Sequence, residues 1–63
     1  MNAITIEKAT NAYTNVIMLE VQRCDNLITD IKEVIAECGE DEELISLLKE
    51  YEEERAMWAS SIA

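Results

Sequence analysis

The sequence predicts an all-α fold, an antiparallel hairpin of one long helix and one shorter helix, on three observations. No proline and a single glycine occur in 63 residues, so almost nothing interrupts a helix. Apolar residues recur at alternating steps of four and three on both sides of that glycine. The glycine, Gly39, stands between Cys38 and a run of four acids, the pattern of one helix ending and another beginning. Residues 1–63 therefore read as one helical-hairpin domain.

The first helix is expected over about residues 5–38. Its seam runs Ile17, Val21, Cys24, Ile28, Ile31, Ile35, Cys38, with steps of four and three alternating throughout, and Leu27 and Val34 widen it on one side. The stretch KATNAYTNV is its weakest part, because threonine and asparagine compete with the helical backbone for hydrogen bonds. A start as late as Thr10 would leave the preceding residues as an arm.

A turn at 39–40 follows, with Gly39 free to adopt the left-handed conformation that commonly ends a helix. The second helix is expected over about 41–61. Asp41 can cap its free amides, and the neighbouring carboxylates sit against the positive end of its dipole. A calcium loop would need alternating oxygen ligands over about twelve residues around an internal glycine, and ECGEDEEL lacks that spacing. The second seam is Leu44, Leu48, Tyr51, Arg55, Trp58 and Ile62, broadened by Leu47.

So short a turn makes the helices antiparallel neighbours. With Cys38 opposite Leu44, the register brings Val34 to Leu48, Ile31 to Tyr51, Leu27 to Arg55 and Cys24 to Trp58, and Ile62 arrives near Glu20. Roughly fifteen residues of the first helix, about 22 Å, then project beyond the second. Ile6, Ala9, Tyr13, Val16 and Ile17 continue an apolar face there, and the steps of four from Ala9 through Tyr13 and Ile17 to Val21 form a stutter that changes the packing geometry. In VIML, Met18 and Leu19 lie roughly 100° or more from the seam, where the hairpin alone cannot cover them. The economical cover is a second copy of the chain across a two-fold axis. A homodimeric four-helix bundle is thus expected, with Ile6, Ala9, Tyr13, Val16, Ile17, Met18 and Leu19 at the dimer interface. Docking of the overhang on a different protein is the other solution.

A chain this short needs some such support, because its own core is marginal. Disulfides and metals do not supply it. There is no histidine for a zinc site, and Cys24 and Cys38, fourteen residues apart on one helix, are separated by roughly 21 Å, far beyond disulfide reach. Both cysteines read as small buried hydrophobes in a reducing compartment, which together with the absence of a secretory signal at the start implies a cytoplasmic protein. No apolar run is long enough to span a membrane. With no histidine, no nucleophile beside a base and no glycine-rich phosphate cradle, no enzyme is expected, and no catalytic residue, cofactor site or metal site is assigned.

The formal charge is −9, which repels phosphate backbones and anionic lipid and makes nucleic acid and membrane unfavourable partners. A larger protein with a basic surface is the natural complement. Residues 1–39 carry six acids and three bases, and residues 40–63 carry eight acids and two bases, so the second helix is the acidic element. Its Glu50 and Glu54 are like charges one turn apart, unfavourable by a few tenths of a kcal/mol. The face is either a solubilising surface or a decoy, in which Asp41, Glu42, Glu43, Glu50, Glu53 and Glu54 present a charged ridge to a basic groove that otherwise holds nucleic acid. Arg55 on the seam is expected to find Glu20 of a second subunit, setting register. Trp58, Tyr13 and Tyr51 are expected in the core.

In length and layout the predicted acidic hairpin that needs a twin is similar in plan to the small plasmid copy-number proteins, antiparallel four-helix dimers that act on paired RNA loops. That likeness implies a dimeric RNA-binding regulator as the alternative function, although Lys8, Arg23, Lys32, Lys49 and Arg55 form no basic cluster in the sequence. A structural assembly subunit is the third possibility.

Overall fold

The computed structural model describes residues 2–61. They form two helices and a three-residue turn: α1 (Ala3–Cys38), 36 residues, and α2 (Glu42–Ser60), 19 residues. The two pack against each other as a hairpin, and no other pair of elements exists among the described residues.

Helix α1 begins two residues earlier than its composition suggests. Asn2 caps it, its side-chain oxygen accepting from the Thr5 amide at 2.9 Å and from the Thr5 hydroxyl at 3.0 Å. Thr10 turns its hydroxyl back onto the Ile6 carbonyl at 2.9 Å, so the group that could have broken the helix is satisfied within it. The N-terminal arm is therefore helical throughout.

At the turn, the Gly39 amide donates to the Ile35 carbonyl at 2.8 Å and closes the last turn of α1. Gly39 has φ 91° and ψ 171°. This is not the left-handed helical conformation expected from the sequence but an extended one at positive φ that only glycine adopts at low cost. It redirects the chain so that Asp41 can cap α2, accepting from the Glu43 amide at 2.8 Å, with Glu42 and Glu43 in the first turn.

The core is small. Ile17, Cys24, Ile28 and Ile31 of α1 are buried, while α2 contributes half-buried Leu44, Leu48, Tyr51, Trp58 and Ala59. All four buried residues lie on the seam read from the sequence. Val34, expected opposite Leu48, is exposed, and half-buried Ile35 takes the inner position. Tyr13, expected in the core, is 62% exposed, lying beyond the reach of α2. Ile62 lies outside the described residues.

The molecule measures 54 × 15 × 14 Å. The long dimension is that of α1 alone, since 36 residues at 1.5 Å give about 54 Å, and α2 spans only about half of it. The radius of gyration is 16.1 Å, against about 11 Å for a compact globule of this length.

Nothing lies within 4 Å of a β-carbon placed on Gly39, so the requirement there is conformational rather than steric. Gly39→Ala is expected to lower stability by about 1–3 kcal/mol, whereas Glu40→Ala beside it stays within about 0.5 kcal/mol. Urea titration followed by circular dichroism measures both.

Candidate functional site

Two surfaces carry the candidate residues, and they lie at opposite ends of the rod. The first is the bare N-terminal half of α1. Ile6, Ala9, Tyr13, Val16, Met18 and Leu19 are all exposed, Met18 at 58% and Leu19 at 66%. Ile17 departs from this group: it is 1% exposed, covered by its own chain, and has no surface left for a partner. Ile4, which periodicity does not place on the seam, is exposed as well. Met18 and Leu19, with Asn15 and Gln22, line a shallow open depression on the far side of α1 from the hairpin contact. Its lining comes from one helix, so it has no opposing wall.

The overhang also carries no net charge. Between Lys8 and Glu20 there is no ionisable side chain except the Tyr13 phenol, and residues 1–19 hold one acid, Glu7, and one base, Lys8. The full formal charge of −9 therefore resides in residues 20–63. That partition was readable from the sequence, but charge totals taken across the turn at Gly39 conceal it.

The second surface is the solvent side of α2. Glu42, Glu43, Glu50 and Glu53 are exposed, and none is in an ion pair among the described residues. The other two acids assigned to this ridge are engaged locally. Asp41 is the N-cap. Glu54 turns inward, is half-buried, and binds Arg23 across the hairpin at 3.0 Å. Its pairing also relieves the like-charge contact with Glu50. Glu52, not assigned to the ridge from the sequence, is exposed too.

Arg23 holds Glu20 at 3.0 Å as well as Glu54, and the hydrogen bond it donates to Glu20 is the first cause of a guanidinium pKa raised above its ordinary value. Arg55 departs from expectation. It binds Asp25 of its own chain rather than Glu20, which Arg23 already occupies. Both cross-helix pairs are largely exposed to solvent, so neither adds much to stability. Their main effect is registration, since they fix residues 23–25 of α1 against residues 54–55 of α2.

The cysteines differ. Cys24 is fully buried and Cys38 exposed, and both are free thiols. Burial pushes the Cys24 thiol pKa up, with the nearby Glu54 carboxylate adding to the effect. Among the described residues no three of His, Cys, Asp and Glu are grouped to hold a metal, and no helix is long and apolar enough to cross a membrane.

A thiol reagent is expected to modify Cys38 in the native chain and Cys24 only on unfolding. Because folding raises the Cys24 pKa, the unfolded chain loses that proton first. Stability is thus expected to fall as pH rises through the ordinary thiol value of 9.0 toward the higher folded one, and Cys24→Ala removes that slope. A double-mutant cycle on Asp25 and Arg55 is expected to give a coupling of about 0.2–1 kcal/mol, against none for Glu20 and Arg55.

Comparisons with protein-family models, with curated proteins and with solved structures gave no match.

Proposed function

We propose that this chain is a non-enzymatic, acidic protein-binding module of the cytoplasm. It self-associates through the overhang of α1 and lays the solvent face of α2 on a basic surface of a larger protein, inhibiting that protein by occupying the surface. One observation carries the reading: Glu42, Glu43, Glu50 and Glu53 stay exposed with no counter-ion from the described residues of their own chain. Two of the five bases, Arg23 and Arg55, are already held by carboxylates of the same chain. A face that needed only solubility would mix signs. This one carries one exposed base, Lys49, among Glu42, Glu43, Glu50 and Glu53, and its net negative field speeds encounter with a basic groove and competes with nucleic acid for it.

The engaged arginines also weigh against the RNA-binding alternative, because phosphate contacts need free lysine or arginine side chains. Self-association is supported by the area. The chain exposes 5006 Å², whereas a compact 7.2 kDa monomer exposes about 4,100 Å². The difference, roughly 900 Å², is of the order that each partner gives to a standard interface.

The test is capture of the partner from the native host, followed by binding measurements with the purified pair. Changing Glu42, Glu43, Glu50 and Glu53 to Gln is expected to weaken binding about tenfold or more and to flatten its salt dependence. Added nucleic acid is expected to compete with the unmodified chain. Equal binding by the four-residue variant, or a gel shift of RNA by the chain itself, rules the reading out.

A further inference from the structure

We propose that two chains pair overhang to overhang in antiparallel orientation, about a two-fold axis near Asn11, leaving an acidic hairpin at each end of one rod. The inference rests on the self-association reading and specifies its geometry.

The exposed stripe Ile6, Ala9, Tyr13, Val16 is spaced three, four, three, a coiled-coil seam two heptads long. Antiparallel pairing sets first-type seam positions against second-type ones. Ile6 then meets the partner's Val16, and Ala9 meets the partner's Tyr13, with both contacts repeated by symmetry. Each layer combines one larger and one smaller side chain, so the layers have similar volume. Parallel pairing would set Ala9 on Ala9 and Tyr13 on Tyr13, a void followed by a collision. The stripe is turned by about 50° from the buried seam of the hairpin, a consequence of the stutter through Ile17, and so lies beside the track of α2 rather than in it.

Length gives a second constraint. In this register Ala3 lies opposite Leu19 of the other chain, just past the point where α2 ends. The two overhangs are then coextensive, and each partner begins where α2 ends, on the neighbouring side of α1. The positive end of one α1 also approaches the negative end of the partner's α2. Leu19 is covered at the edge of this contact, beside the partner's Thr5. Met18 and Ile4 remain outside it, two isolated exposed hydrophobes of the ordinary kind.

Charge gives the third and selects the occupant. A second copy carries −9, yet its overhang carries only Glu7 and Lys8. The overhang is the one stretch where two such chains can meet without repulsion. Antiparallel pairing places the centres of the two α2 helices roughly 60 Å apart, several screening lengths at physiological salt. Parallel pairing would set them side by side.

The test is directed disulfide formation in a Cys38→Ser background, in which the remaining native thiol, Cys24, is buried. Chains carrying Ile6→Cys are mixed with chains carrying Val16→Cys and oxidised, and a second pair uses Ala9→Cys with Tyr13→Cys. All four sites are exposed in the hairpin, and circular dichroism checks that each variant folds. Covalent dimer is expected in each mixture and not from any single variant. Cross-linking of a single variant with itself, or no cross-linking in mixtures whose chains sediment as dimers, overturns the antiparallel register. A folded 7.2 kDa species at equilibrium in the ultracentrifuge for the unmodified chain overturns self-association itself, a separate failure.

Discussion

A helix of 36 residues folded back against one of 19 leaves nearly half of its length without a neighbour. Helices of this composition gain most of their stability from packing rather than from intrinsic propensity, so the unpaired half of α1 is stabilised only by its Asn2 cap and its continuity with the paired half. The same mismatch sets the rod-like dimensions, the surface excess and the confinement of the buried core to one side of Ile17. Four buried side chains among the described residues make a thin core even for a chain of this size. Anything that covers the bare half adds directly to the stability of the whole.

Charge divides the molecule at nearly the same place as packing does. The neutral segment is the unpaired one, and the acidic segment is the hairpin. The coincidence makes physical sense, because apolar association tolerates little net charge while solvation of a small hairpin benefits from it. Within the hairpin, Arg23 and Arg55 are paired locally, so the exposed Lys32 and Lys49 are the bases left to set against the free glutamates, and the net field is negative.

Much of this was legible in the sequence. Ile17, Cys24, Ile28 and Ile31 stand in a seam that hydrophobic spacing alone identifies, and Gly39 with Asp41 marks the turn and the cap. Two things were not legible. The rotation of α2 that turns Glu54 inward and leaves Arg55 at the edge depends on where long side chains find partners on the facing helix, and spacing within one helix carries no such information. The start of α1 was obscured because threonine and asparagine are read as helix breakers, yet in Asn2 and Thr10 their hydrogen-bonding groups serve the helix. On the candidate surfaces, exposure of Met18 and Leu19 followed from four consecutive aliphatic residues. The burial of Ile17 between them and the free stripe marks where α2 gives out.

Trp58 sits near that boundary, and its buried indole nitrogen has no hydrogen-bond acceptor among the described residues. Burying a donor of this kind without an acceptor costs about 1–3 kcal/mol. The closing turns of α2 therefore gain less from burying Trp58 than its apolar contact alone would give. The edge between double and single helix is thus held by the apolar contact of the indole, offset by the polar group which that contact buries.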